Sequence, residues 1–189
     1  MTKELEEEDS TCEIVWSEKN WHNSKGELHR LNGPAVEHCD GYKEWWINGK
    51  LHKLDGPAVE FSNGYKEWYQ NGLLHKINGP AIDNNERKSW WQHGKLHRDN
   101  GPAIEWPNGA KQWLKNGEFH REDGPAIEWE EGKKEWFQNG KLHRLNGPAY
   151  VSYSGGEHWY KNGQLHRLDG PAIVFLQSNI YFFSRNPRI

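Results

Sequence analysis

The sequence predicts an all-β chain, an elongated single-layer antiparallel sheet or solenoid of tandem 23-residue β-hairpin repeats. Three observations lead there. Seven histidines, His29, His52, His75, His97, His120, His143 and His166, recur at intervals of 23, 23, 22, 23, 23 and 23 residues. Each sits in one phrase, in the clearest copies Trp-x-x-Asn-Gly-x-Leu-His-Arg/Lys-x-Asp/Asn-Gly-Pro-Ala-Ile/Val-Glu. Gly-Pro in every copy forbids long helices, because proline lacks the backbone donor and clashes with the preceding turn. Asn-Gly between aromatic and β-branched runs is a strong hairpin signal, since both central residues of a type I′ turn need positive φ. Units this short cannot bury a core alone and become stable by stacking.

The elements follow in order. Residues 1–13, with Glu4, Glu6, Glu7, Glu8 and Asp9, read as an acidic, solvated tail, and the seven repeats occupy residues 14–175. The second repeat is the template. Gly41-Tyr42-Lys43-Glu44-Trp45-Trp46-Ile47 leads into Asn48-Gly49, then Lys50-Leu51-His52-Lys53, Asp55-Gly56-Pro57, Ala58-Val59-Glu60-Phe61 and a second turn at Asn63-Gly64. The first turn recurs at Asn71-Gly72, His93-Gly94, Asn116-Gly117, Asn139-Gly140 and Asn162-Gly163. Two turns per repeat imply two or three short antiparallel strands. The first repeat is one residue long before its Gly26, and the fourth is one residue short between Ile82 and Trp90. Residues 176–189 abandon the phrase for an apolar segment containing Ile180, Tyr181, Phe182 and Phe183. A solenoid end must be covered, so this segment is expected to cap the last repeat, or to contact a second copy in a homodimer.

Trp45, Trp68, Trp90, Trp113, Trp136 and Trp159 each lie seven residues before the repeat histidine. The next residue is Trp46, Tyr69, Trp91, Leu114, Phe137 or Tyr160. Neighbouring residues of a strand point to opposite faces. The Trp row is expected to form the repeat core against the repeated Leu, Pro and Ala, leaving the variable row partly exposed.

Composition narrows the class. Only 34% of residues are apolar and the mean hydropathy is -1.09, but 12 Trp, 7 Tyr and 6 Phe carry large areas into a thin core. A net charge of -3 disfavours an electrostatic nucleic-acid binder. Cys12 and Cys39 make no disulfide framework. The acidic start is unlike a signal or transit peptide, and no apolar run reaches the length of a membrane span. A soluble intracellular protein is expected.

A 23-residue period carrying Tyr42, Trp46, Asn48, Gly49, Lys50, His52 and Gly56 resembles the MORN repeat family, over about 160 of 189 residues. Two family positions differ. Glu44, Glu67, Ser89, Gln112, Glu135 and His158 stand where the family usually has glycine, and His52-Lys53-Leu54-Asp55-Gly56-Pro57 replaces its usual His-Gly-x-Gly. The chain looks like the divergent variety abundant in large DNA viruses of amoebae and in some bacteria. The resemblance implies sheets of hairpins, dimerisation, and scaffolding or attachment roles, with phospholipid binding also claimed for the family.

The repeated polar residues suggest specific chemistry. Equivalent residues of adjacent repeats lie roughly 9 to 10 Å apart, whereas zinc ligands sit about 2 Å from the ion. Neighbouring histidines therefore cannot share one metal, and no metal or cofactor is expected. The imidazole is expected instead to order its loop, bonding the Asp or Asn three residues on or a turn backbone group. Arg30, Lys53, Lys76, Arg98, Arg121, Arg144 and Arg167 form a basic row that could track anionic lipid or another polyanion. Glu37, Glu60, Asp83, Glu105 and Glu128 follow seven residues after the first five of these, and a mutual charge ladder is the competing expectation. No nucleophile with a positioned base is visible. The expected function is a non-enzymatic, rod-like protein-interaction scaffold, homodimeric, with an unidentified protein partner. Peripheral binding of anionic lipid through the basic row, and a structural place in a viral particle, are the alternatives.

Overall fold

In the computed structural model, which describes residues 11–15, 18–177 and 180–183 and side-chain surroundings over 18–175, each repeat turns on its Asn-Gly pair. Asn48 and Gly49 have φ of 48° and 68°, the two left-handed positions a type I′ turn demands. The same left-handed backbone recurs at Asn71, His93, Asn116, Asn139 and Asn162. Asparagine and histidine tolerate this region far better than branched residues do.

Four two-residue strands make up the template repeat, more than the two or three the turn count implied. Lys43–Glu44 pairs with Val36–Glu37 on one side and Val59–Glu60 on the other, forming a continuous ladder. Trp46–Ile47 pairs instead with Lys50–Leu51 around the tight turn. Trp45 is the switch between them. Its N–H donates to the Ala58 carbonyl at 2.8 Å, while its own carbonyl accepts from His52 N–H at 2.9 Å. One residue thus faces the ladder with its donor and the hairpin with its acceptor.

The chain divides into two compact units, Met1–Asn85 with Trp90–Lys95, and Glu86–Ser89 with Leu96–Ile189. In the first, the antiparallel ladder runs Thr11–Val15, Glu18–His22, Val36–His38, Lys43–Glu44, Val59–Glu60, Lys66–Glu67, Ile82–Asp83. In the second it runs Lys88–Ser89, Ile104–Glu105, Lys111–Gln112, Ile127–Glu128, Lys134–Glu135, Tyr150–Val151, Glu157–His158, Ile173–Gln177, Ile180–Phe183. The first strand begins inside the expected acidic tail, pairing Thr11 with His22 and Val15 with Glu18. Residues 1–10 lie outside the described residues. At the other end Ile180, Tyr181, Phe182 and Phe183 pair back on Gln177, Leu176, Phe175 and Val174 as a closing hairpin. What those four side chains meet lies outside the described residues. No helix among the described residues is long and apolar enough to cross a membrane.

The core is thinner than the Trp row suggested. Ala35, Ala58, Ala81, Ala103, Ala126 and Ala149 are fully buried, followed by Val36, Val59, Ile82, Ile104 and Ile127. Both backbone groups of Ala58 are bonded into neighbouring segments, its N–H to the Glu67 carbonyl and its carbonyl to Trp45 N–H. Only a methyl fits there, and enlarging such a site costs about 1–3 kcal/mol. Of the Trp row only Trp90 counts as buried; Trp45, Trp68, Trp113, Trp136 and Trp159 are half-buried. In the variable row Trp46, Tyr69, Trp91, Phe137 and Tyr160 are half-buried too, and Leu114 is buried. Apart from Trp90 and Leu114, which enter the core, both rows flank the alanine layer.

Glutamate at the departures from the glycine pattern serves the variable row. Glu44 accepts from the Tyr42 hydroxyl and, at 2.7 Å, from Trp46 Nε1. Glu67 accepts from Tyr69 at 2.9 Å. Burial, reinforced by these carboxylates, pushes the Tyr42 and Tyr69 phenols well above their ordinary range. At the same position His158 packs against Tyr150, Tyr160 and Phe175, with centroids 4.9, 6.4 and 5.9 Å away.

Successive hairpins are joined by a recurring set of three hydrogen bonds. Gly72 N–H donates to the Leu51 carbonyl at 2.8 Å, and Lys53 N–H to the Tyr69 carbonyl at 3.2 Å. The third bond uses the histidine. Asn71 N–H donates to His52 Nδ1 at 3.1 Å, 19 residues away. Equivalent bonds join Asn48 to His29, His93 to His75, Asn116 to His97, Asn139 to His120 and Asn162 to His143, at 3.1 to 3.2 Å. Of the two expected partners, a turn backbone group is the one found, and it belongs to the next repeat's turn; the Asp or Asn three residues on is not the partner of Nδ1. An accepting Nδ1 has its lone pair free, which places the neutral ring's proton on Nε2. The 3.2 Å contact from His97 Nε2 to Asp99 Oδ1 agrees with that tautomer. His166, the last of the row, is exposed, and no Asn-Gly pair follows it in the sequence.

Two predictions follow from these bonds. His97→Phe strands the Asn116 N–H and is expected to cost about 1–3 kcal/mol, whereas His166→Phe stays within about 0.5 kcal/mol; urea unfolding of both variants checks the contrast. Burial, then the neighbouring His93, holds the His75 imidazole below its ordinary 6.5. The folded protein therefore binds fewer protons than the unfolded chain. Stability from this group is complete above about 6.5 and falls as the pH drops through 6.5 towards the depressed folded value. Urea midpoints measured across pH 5–8 should decline towards acid, and less steeply in His75→Gln.

Candidate interaction surface

The phrase His-Arg/Lys-x-Asn/Asp-Gly-Pro forms the loop returning each hairpin to the ladder, and its basic residue folds inward. Arg30, Arg121, Arg144 and Arg167 lie over Trp21, Trp113, Trp136 and Trp159, with Cζ 3.8–4.1 Å from the ring centroid. Lys53 and Lys76 place Nζ 3.6 and 3.4 Å from the centroids of Trp45 and Trp68. Desolvation lowers the Lys76 ammonium pKa, partly offset by Asp83. Trp and cation attract through the ring quadrupole, by about 0.5–2 kcal/mol depending on burial.

The arginines are held from further sides. Arg30, Arg98, Arg121, Arg144 and Arg167 each donate an Nη1–H to the proline carbonyl four residues on, at 3.1–3.3 Å. Arg30, Arg98 and Arg121 also pair with Glu37, Glu105 and Glu128 at 3.1, 2.8 and 2.9 Å. Glycine before proline lets the cation lie against the loop backbone. A Cβ at Gly124 would stand 2.8 Å from Arg121 Cζ. In the row read from sequence as a candidate anion track, six cations therefore lie over an indole and the five arginines are bonded within their own repeats, the charge-ladder expectation holding for those three pairs.

The residue after the cation takes the opposite course. Leu54, Ile77, Leu145 and Leu168 are 75%, 72%, 72% and 92% exposed, with Leu31 at 45%. Asp99 and Glu122 occupy the same position in the two remaining repeats and are also exposed. Every loop therefore carries an outward tip, aliphatic in five repeats and acidic in two. Within one repeat a lone aliphatic among turn residues looks like an ordinary loop residue. The signal was its recurrence beside Asn/Asp-Gly-Pro.

Between successive loops lie clefts floored by the Trp row. In the first unit one is lined by Arg30–Gly33, Trp45, Ile47 and His52–Asp55. Three others follow one another in the second unit, with Trp113, Trp136 and Trp159 in their walls. Among the described residues no group of three or more His, Cys, Asp or Glu is placed to hold a metal ion. Within each unit the loop edge thus offers outward tips alternating with aromatic clefts.

Arg121→Met keeps the aliphatic stem but removes the bonds to Pro125, Asp123 and Glu128. It is expected to destabilise by about 1–3 kcal/mol, against less than about 0.5 kcal/mol for the exposed Lys134→Met, read from thermal or urea unfolding. No family model and no curated protein sequence matches the chain.

Proposed function

We propose that the chain is a non-enzymatic scaffold that binds a protein partner through the loop edges of its two units. The observation carrying this reading is the row of aliphatic tips held outward at one repeat position, Leu31, Leu54, Ile77, Leu145 and Leu168. Isolated exposed leucines are ordinary, but apolar side chains recurring at one repeat position within each unit, beside aromatic clefts, mark a contact surface. The loops beneath are fixed by Trp, cation, glycine and proline, so little ordering entropy is lost on binding. The likeness to MORN-type repeats points the same way, towards scaffolding or attachment and towards a homodimer. For the homodimer, the edge position of Ile180–Phe183 in its ladder and the exposed Phe175 supply the support, since an edge strand leaves backbone groups open to a second copy.

The test is capture from the native source with the full chain as bait, beside variants carrying Leu54→Asp with Ile77→Asp and Leu145→Asp with Leu168→Asp. A partner retained by the parent chain and lost by at least about tenfold from one of the double variants supports the reading. Equal retention by all three baits overturns it. Because the tips are exposed, circular dichroism should show the variants folded as the parent is.

A further inference from the structure

The three consecutive clefts of the second unit set a spacing that a ligand must match. The first lies between the loops carrying Asp99 and Glu122, the second between those carrying Glu122 and Leu145, the third between those carrying Leu145 and Leu168. Each repeat adds two strands to the ladder, so equivalent points recur at about 9.4–9.8 Å.

Regular polypeptide conformations differ sharply at that distance. In an extended strand, side chains on one face repeat at about 6.6–6.8 Å and miss the clefts. An α-helix returns a side chain to one face after seven residues, about 10.5 Å, and slips by about 1 Å at each step. A polyproline II helix has three residues per turn and rises about 3.1 Å per residue, so every third side chain recurs at about 9.3 Å. Over the two intervals between three clefts it stays in register to within about 1 Å. Grooves lined by aromatic side chains are also the surfaces that recognise this conformation, which arrives already ordered.

Charge gives the ligand a direction. Asp99 and Glu122 are the tips at one end of the three clefts, Leu145 and Leu168 at the other. The arginines of these loops are turned onto indole and proline carbonyls. Asp99 and Glu122 line the first cleft with Lys115 as its exposed cation, while Asp123 there is paired with Arg121. We propose that this edge of the second unit binds a proline-rich, polyproline II segment of a partner protein. Residues at every third position of that segment enter successive clefts, with its basic residues over Asp99 and Glu122 and its apolar residues beside Leu145 and Leu168. The proposal rests on the loop edge being a protein-binding surface and names the partner's chemistry.

The experiment uses the full chain and fluorescent synthetic peptides of Leu-Pro-Pro repeats with an Arg pair at either end. Controls have the same composition but leucine at every fourth position, and binding is read by anisotropy. The period-three peptide with one placement of the Arg pair is expected to bind at least about tenfold tighter than its control. Glu122→Lys should weaken it and should favour a peptide with Glu in place of the Arg pair; Leu145→Asp with Leu168→Asp should weaken both. Equal affinity for period-three and period-four peptides, or affinity unmoved by Glu122→Lys, overturns the proposal. In that event the broader reading of the loop edge stands or falls on the capture experiment alone.

Discussion

The unprotonated imidazole nitrogen that accepts from the neighbouring repeat's turn is the contact on which the hairpins depend. A type I′ turn needs two residues in left-handed backbone, a conformation costly for anything but glycine, asparagine and a few others. At Asn71 the turn N–H points back along the chain to His52 Nδ1, while Gly72 N–H finds the Leu51 carbonyl. The strained turn of one repeat is thus satisfied by the repeat before it. This explains why Asn-Gly and histidine recur together although 19 residues of chain separate the bonded atoms. Coupling between nearest neighbours of this kind is how repeat proteins gather stability that no single unit has.

The alanine row sets the next constraint. Because Ala58 and its equivalents sit between closely bonded backbones, the layer they define is filled mainly by the β-branched residue that follows the alanine in five repeats, with Leu114 and Trp90 the larger side chains buried beside it. The other indoles are displaced to its margin, where one face is covered by the arginine or lysine of the same repeat. The cation is drawn inward by the ring, the proline carbonyl and, in three repeats, a glutamate. Once it turns in, the following residue must turn out. Exposure of Leu54 and Leu168 is then a consequence of the stack beneath them, and a surface fixed this firmly is suited to recognition.

Much of this was legible before any coordinates. The period, both turns, the absence of long helices and the closing apolar segment follow from Gly-Pro, Asn-Gly and the spacing of histidine. The number of strands did not, because the break at Trp45 arises from its donor and acceptor facing different neighbours, which no local pattern records. A turn backbone group was one of the two partners expected for histidine; which turn supplies it was not legible, for a related reason. Sequence proximity favours Asp55 for His52, whereas register brings Asn71 to it. The fate of the basic row turned on a competition between solvent and indole. Lysine or arginine one position after histidine looks the same in sequence whether it projects or folds back.

The fourth repeat shows what the pattern tolerates. Its tight turn opens with His93 in place of asparagine, at φ 49°, and the backbone bond to His75 Nδ1 survives at 3.1 Å. The hydrogen bond therefore requires the turn's backbone and not the asparagine side chain. The substitution still changes the surroundings. Elsewhere the asparagine side-chain amide lies beside the same imidazole nitrogen, 2.8–3.0 Å away in four repeats, while here a second imidazole lies 4.5 Å from the first, centroid to centroid. Two rings that close cannot both take a proton cheaply, and burial already opposes charge on His75. The neutral form of His75 is therefore defended by burial and by the neighbouring imidazole of His93. Acid acts there against a bond that the left-handed turn cannot replace from within its own repeat.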